Sequence, residues 1–519
     1  MATKEEFIRV MTEGYSTKGD FITLGGPVFE GAVFQEAQIK APLRTFNRHG
    51  LIAGATGSGK TKTLQGIAEK LSDKGVPVLL MDIKGDLSGI ARAGVENDKL
   101  KERQTKLGIP WTPAAYPVEL MSLSEEKGAR MRATVTEFGP VLFSKILDLN
   151  DTQGGVVALV FKYADDNGLL LLDLKDFRKV LQYLINEGKE EIKKEYGAIS
   201  TASASTILRK IVEIEQQGAE AFFGETSFDV NDLTRIDDQG RGIINVIRLT
   251  DIQDKPKLFS TFMLCLLAEI YSSFPEEGDL EQPKLVIFID EAHLVFKEAS
   301  DALQNQLESI IKLIRSKGVG VFFCTQLATD IPPNVLSQLG MKIQHAYRAF
   351  TANDRKSIKT IADNYPLTDF YTTEDLMTQL GIGEALVTVL SEKGTPTPLA
   401  HTMLCAPRSA MDVLTSEEID ALVNKSPLVK KYNQLVDRES AYEILGNKLT
   451  AESKQEESSD EVEEENSPKK KEKSVAGSLI DSTVGRQVAR TVAREVTRGL
   501  LGILGVKSSS SRKKSKSWF

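Results

Sequence analysis

The residues Gly54-Ala55-Thr56-Gly57-Ser58-Gly59-Lys60-Thr61 combine spaced glycines with a lysine and a hydroxyl, as a bound phosphate chain requires. They fit G-x-x-x-x-G-K-[ST], the pattern of a phosphate-binding loop. A triphosphate needs several donors close together, and Gly54, Gly57 and Gly59 let the backbone curl until its N–H groups point inward. Lys60 would reach the β- and γ-phosphates of ATP, and the Thr61 hydroxyl a magnesium ion. A second group follows the apolar run Leu285-Val286-Ile287-Phe288-Ile289, namely Asp290-Glu291. A buried strand would carry Asp290 to the metal, and Glu291 to the attacking water as general base or positioning group. Gln326, after Val319 to Cys324, is an amide that either bonds γ-phosphate and water or caps the loop before Pro332-Pro333. Asp82 and Asp86, after Val78 to Met81, either orient water, magnesium or Lys60, or serve as turn residues. His49 reads as a turn residue, with contact to a nucleotide base as the rival reading.

The elements around these groups specify an α/β fold. Leu51-Ile52-Ala53 precedes the loop as a short strand, and Leu64, Ile67, Ala68 and Leu71 follow at helical spacing, so the loop opens a helix whose N-terminus favours anions. Apolar runs at 78–81, 242–247, 284–289, 319–324 and 342–347 predict a mainly parallel sheet. Residues 383–390 and 397–403 predict a closing hairpin. The run 258–274, broken by Ser260, Thr261, Glu269, Ser272 and Ser273, predicts a buried helix, and Leu303, Leu307, Ile310, Ile311 and Ile314 mark another that ends near Gly318.

The chain divides into a strand-rich segment (1–45), the first part of the core (46–99), a helical insertion (100–240), the second part of the core (241–405) and C-terminal helices (406–450). A charged, disordered linker (451–474), a basic amphipathic helix (475–506) and a basic tail (507–519) complete it. In the terminal helix Arg486, Arg490, Arg494 and Arg498 recur every four residues, and Val484, Val488, Val492 and Val496 occupy another face. Docking on the protein's own subunits, contact with nucleic acid and peripheral contact with an anionic membrane surface all suit that helix.

Among the 519 residues 41% are hydrophobic, enough for a large core, and the net charge is −8. Nucleic acid would therefore be held locally rather than by a basic coat. Cys265, Cys324 and Cys405 are too widely spaced for a cysteine zinc site or a disulfide framework. The start of the sequence lacks an apolar signal region, and no run of about 18 apolar residues occurs. A cytoplasmic protein is expected.

The ordered set GATGSGKT, LLMDIKGD, LVIFIDEAHLVF and LIRSKGVGVFFCTQ, with the arginines after it, resembles the HerA/FtsK superfamily of P-loop ATPases. Within it the chain looks like the bacterial HerA-like family that includes YjgR. The resemblance implies a RecA-like P-loop core, a homo-oligomeric ring, usually hexameric, and magnesium-dependent ATP hydrolysis between subunits. Many relatives pump double-stranded DNA, and HerA works with the NurA nuclease, which makes DNA and a nuclease the implied partners. Lys60 and Thr61 match the P-loop pair, Asp290 and Glu291 the Walker B pair, and Gln326 the polar residue after the next strand. Arg315 matches the arginine just before that strand, in a position to contact phosphates, and Arg348 or Arg355 the arginine finger. The segment before residue 46 is shorter than the β-barrel domain with which HerA begins. The expected function is an ATP-driven motor that translocates or remodels double-stranded DNA. The rivals are a motor on a protein or membrane-associated substrate and a nucleotide-binding assembly module.

Overall fold

The computed structural model describes residues 3–278, 280–297, 299–348, 351–434, 436 and 438–459. It divides into two units, Met1–Leu445 and Gly446–Phe519. The first unit contains a sheet of β1 (Phe21–Phe29), β2 (Ala32–Val33), β3 (Ile39–Pro42), β4 (Gly50–Ala53), β5 (Val78–Asp82), β6 (Val118–Ser122) and β7 (Ala129–Arg130). Its later strands are β8 (Ile244–Arg248), β9 (Leu285–Ile289), β10 (Val319–Thr325), β11 (Met341–Gln344), β12 (Glu384–Thr388) and β13 (Ala400–Leu404). The spatial order is β2-β1-β13-β12-β11-β4-β10-β9-β5-β8-β6-β7, with β3 on β1. Every pair from β11 to β7 is parallel, and the strands from β12 to β1 pair antiparallel.

Continuous apolar runs form the centre because strands in a parallel sheet are covered on both faces. Every residue of β4, β5, β9 and β10 is buried. The helix Lys60–Asp73 lays Leu64, Ile67, Ala68 and Leu71 into the core that also holds Ile52, Leu80, Phe288 and Phe322. Burying each of the Leu, Ile and Phe side chains contributes about 1.5–3 kcal/mol, so the loop stands on a rigid base. The helices Pro256–Ser273 and Asp301–Ile314 pack against one another, and the first is buried as its composition predicts.

The first strand of the chain meets the last in the antiparallel half. In β1, Gly25 pairs with Leu404 of β13, and the expected hairpin is the antiparallel pair β12–β13. The Tyr15 hydroxyl lies 2.9 Å from the Val387 carbonyl oxygen and 2.7 Å from that of Pro398. Phe7, on the helix Lys4–Gly14, stacks on Phe29 with ring centres 4.9 Å apart.

The segment 100–240 is not purely helical. Helices from Val135–Ile146 to Thr201–Gln216 fill its middle, but β6 pairs with β8 and extends the parallel sheet. Glu119 disguises β6 as a polar stretch; the fold buries it beside the Arg235 guanidinium at 2.9 Å and the Ser426 hydroxyl. Helix Ala441–Ser459 continues into the segment expected to be a linker. The rest of that linker, the basic helix at 475–506 and the tail at 507–519 lie outside the described residues. No helix of the described residues is long and apolar enough to cross a membrane.

Candidate functional site

The glycine loop leaves the sheet between two neighbours, since Ala53 pairs with Thr325 of β10 on one side and Gln344 of β11 on the other. Gly54 N–H donates to the Thr325 oxygen (3.3 Å), Ala55 N–H to the Ala346 oxygen (2.8 Å), and His345 N–H to the Ala53 oxygen (2.7 Å). Gly57 and Gly59 have φ of 77° and 112°, which glycine adopts without steric cost. At Gly54 close approach also matters: a Cβ there would lie 2.5 Å from the His345 Cβ. Lys60 begins the helix, is buried, and donates from Nζ to the Ala55 oxygen at 3.2 Å. The Ser58 hydroxyl donates to the same oxygen at 2.7 Å.

Two supports of this loop escape the sequence motifs. His345 is fully buried beneath it, with Nε2 2.9 Å from the Thr63 hydroxyl. Burial, with the nearby Lys60 charge, pushes its pKa down to about 4, so the ring is neutral. Arg103 donates to the oxygens of Gly383 (3.1 Å), Leu404 (2.9 Å) and Ile382 (3.0 Å). Gly383 N–H in turn donates to the Ser58 oxygen at 3.1 Å, so the guanidinium braces the segment that holds the loop. Neither residue belongs to a phosphate-loop pattern; a lone arginine in a polar helix and a histidine after a strand carry no local signal.

Strand register brings the acids beside the loop. Phe323 pairs with Ile289, which places Asp290 level with Cys324, one residue before the position level with Ala53. Asp290 is buried, and its Oδ1 accepts from Glu291 N–H at 2.9 Å. Its Oδ2 has no hydrogen-bond partner among the described residues; the Cys324 thiol beside it is a weak donor. Burial raises the Asp290 pKa, against the lowering effect of the Lys84 charge. A buried oxygen without a partner, next to a hydroxyl-bearing loop, fits a magnesium ion held by Thr61 and Asp290. Glu291 is buried at φ 47°, ion-paired through Oε1 with Lys84 and 3.3 Å from His293 Nδ1 through Oε2.

Asp82 proves to be a turn residue. Its carboxylate accepts from the backbone N–H groups of Gly85 (2.8 Å), Asp86 (3.1 Å) and Leu87 (3.2 Å), and burial pushes its pKa up to about 7. The loop it shapes presents Lys84, not itself, to the acids. Asp330, not Gln326, caps the loop after β10, accepting from the Thr325 hydroxyl at 2.8 Å and Leu327 N–H at 3.2 Å. Gln326 is exposed and follows Thr325, between the glycine loop and the turn at Asp290.

The arginines separate. Arg348 and Arg355 are exposed after β11, on the side of the sheet where the glycine loop lies. Arg315 precedes β10, whose seven residues span about 20 Å, so it stands at the opposite edge. From that edge it does not reach phosphates held by its own glycine loop. There it lines a cavity of about 580 Å³ with Arg48, His49, Lys312 and Lys342, and none of the described lining residues is acidic. His49 stands at the opposite end of β4 from the glycine loop: it is buried, and Nδ1 accepts from Val321 N–H at 3.0 Å.

With loop and acid pair at one sheet edge, comparison with known proteins decides the family. The model of the helicase HerA-like C-terminal family matches residues 30–509. This chain belongs to that family. It is 24% identical over 397 residues to the DNA double-strand break repair helicase HerA of Sulfurisphaera tokodaii, covering 75% of this chain and 69% of the relative. To the protein of the same description from Sulfolobus acidocaldarius it is 23% identical over 364 residues, covering 67% and 64%. The chain thus spans about two thirds of these relatives' length. Among solved structures it is similar to the bacterial conjugative coupling protein TrwBΔN70, with a TM-score of 0.50, 14% identity and coverage of 78% of this chain and 94% of that one. That likeness shows the fold, a P-loop ATPase core with a mainly parallel sheet.

Proposed function

We propose that this HerA-like chain is a magnesium-dependent ATPase that works as an oligomeric motor on double-stranded DNA. The observation that carries the hydrolytic reading is the convergence, by strand register, of Lys60 and Thr61 with the partnerless buried Oδ2 of Asp290 and the carboxylate of Glu291. The glycine loop and Lys60 hold the triphosphate, and Thr61 and Asp290 would hold magnesium, which when bound neutralises phosphate charge. Glu291 accepts a proton from water as its oxygen attacks the γ-phosphorus; the bond to the β-phosphate oxygen breaks and leaves ADP and phosphate. Gln326, the polar residue after β10, would orient that water through its amide.

Arg315 supports the oligomeric reading. It lies at the far edge in a cavity lined with cations, a place from which it would serve phosphates carried by a neighbouring copy, with Arg348 and Arg355 as the rival fingers. The DNA reading draws on the HerA relatives, which are DNA double-strand break repair helicases. The test is ATP hydrolysis with and without duplex DNA, over a range of salt, with the mass of the assembly measured in parallel. Hydrolysis stimulated by DNA, binding that weakens steeply with salt, and a mass several times that of one chain are expected. Hydrolysis indifferent to duplex DNA contradicts the DNA reading, and a monomer that hydrolyses ATP at full rate contradicts the shared site.

A further inference from the structure

The sheet edge opposite the glycine loop gathers cations from four separate segments. Arg48 stands just before β4, Arg315 opens the turn before β10, Lys342 lies near the start of β11, and Lys312 is in the last turn of the helix Asp301–Ile314. Because β4, β10 and β11 are parallel neighbours, their first residues share one edge. The four side chains line a single cavity of about 580 Å³, a volume within the range of small-molecule sites, about 300–1,000 Å³.

The floor of this cavity is held by main chain. Gly340 N–H donates to the Arg48 oxygen (2.9 Å), Met341 N–H to the His49 oxygen (3.2 Å) and Val321 N–H to His49 Nδ1 (3.0 Å). The recess is therefore formed before anything enters it, which lowers the ordering cost of binding.

Its charge is uncompensated. None of the described lining residues is acidic, and Lys312, Arg315 and Lys342 make no ion pair among the described residues. Lys312 and Arg315 are exposed and solvated, but Lys342 is half-buried. One of its three donors is used on the Asn364 oxygen at 3.0 Å, and burial without an acid beside it lowers its pKa. An anion in the cavity would offset that cost.

The arrangement also selects among anions. Guanidinium groups bind phosphate oxygens through paired hydrogen bonds and ammonium groups bind them as point charges. Four cations in one recess suit an anion that concentrates several charges, as linked phosphates do. Duplex DNA spreads its charges at about 3.4 Å along each strand, so a recess of this volume meets one or two of them. The described lining holds no Phe, Tyr or Trp on which a nucleobase would stack.

We propose that this cavity is a second phosphate site, separate from the glycine loop, that takes a free polyphosphate of three or more linked phosphates. It goes beyond the shared hydrolytic site, because it needs no neighbouring copy and no nucleotide. Arg315 belongs to both sites, and while the cavity is filled that side chain is withheld from a neighbour.

The test is isothermal titration of the full chain carrying Lys60→Ala, which weakens the glycine loop, with inorganic tripolyphosphate as the probe. One equivalent per chain should bind. Adding Lys342→Met should weaken Kd about tenfold, as the loss of one charge-assisted contact predicts. Lys312→Glu should weaken it in the same direction, and since Lys312 is exposed that result does not hinge on folding. Lys193→Glu, on the exposed face of the helix Lys189–Glu195, should leave Kd unchanged. ATP should bind this chain no tighter than tripolyphosphate does; tighter binding of ATP assigns the cavity to nucleotides and overturns the choice of a free polyphosphate. Absence of binding, binding indifferent to both Lys342→Met and Lys312→Glu, or sulfate bound as tightly as tripolyphosphate overturns the site. Displacement of tripolyphosphate by a linear duplex overturns the compact ligand.

Discussion

Replacing Arg103 with methionine keeps most of the apolar stem and removes the guanidinium that bonds the oxygens of Ile382, Gly383 and Leu404. Hydrogen bonds to charged groups contribute about 1.5–3 kcal/mol each, but water reaches this half-buried site and the three bonds share one group. A net local loss of about 2 kcal/mol is a sound expectation. Because Gly383 N–H holds the Ser58 oxygen, that loss falls on the glycine loop. If about 1.5–2 kcal/mol of it is paid when nucleotide orders the loop, Kd for ATP weakens roughly 10- to 30-fold. Titration with a fluorescent ATP analogue reads Kd, and steady-state assays separate KM from kcat; KM should rise with kcat within about threefold of wild type. A Kd within twofold of wild type together with a lower Tm would refute the reasoning, since Arg103 would then only join the helix Asp98–Leu107 to the sheet.

Other consequences are as accessible. Glu291→Gln should bind ATP normally and lose turnover by at least about a hundredfold, whereas Lys60→Ala should lose nucleotide affinity; equilibrium binding and phosphate release separate them. Lys60→Ala and Arg315→Ala chains, each inactive alone, should recover roughly a quarter of the wild-type rate when mixed and allowed to exchange, because each supplies what the other lacks; no recovery would mean that Arg315 does not act on a neighbour. His49 and His345 are both pushed by burial from an ordinary histidine value to about 4, so the stability each contributes is present above about pH 6.5 and lost as pH falls toward 4. Asp82, raised to about 7, acts in the opposite sense over that window. The difference between wild type and His345→Gln in urea unfolding therefore isolates one histidine, and should shrink by up to about 3 kcal/mol between pH 7 and pH 4.

The central strands, the glycine loop and the Asp-Glu pair were legible because each is a short, local pattern imposed by burial or by phosphate geometry. What was not legible depends on where distant segments meet. Val118 to Ser122 hid as a strand because its Glu119 finds Arg235, 116 residues away, which offsets the cost of burying the charge. Asp82 and Lys84 occupy one loop, and only the fold shows that the aspartate is consumed by three N–H groups while the lysine faces Glu291. Arg315 follows a helix and precedes a strand like any connector residue, and the direction of β10 is what sends it to the far edge. His345 and Arg103 act through backbone groups, which leave no trace in residue type.

The placement of β4 between β10 and β11 has a consequence for synthesis on the ribosome. The strand that carries the glycine loop emerges early, but both of its neighbours are encoded roughly 270 residues later. At ordinary elongation rates that interval is roughly 15–55 s, during which β4 has neither of its hydrogen-bonding edges covered. The nascent chain therefore carries a bare, apolar strand and an unassembled nucleotide loop until the second part of the core is made. Chaperone dependence and aggregation of truncated chains should track the arrival of β10 and β11, and nucleotide cannot assist folding before then.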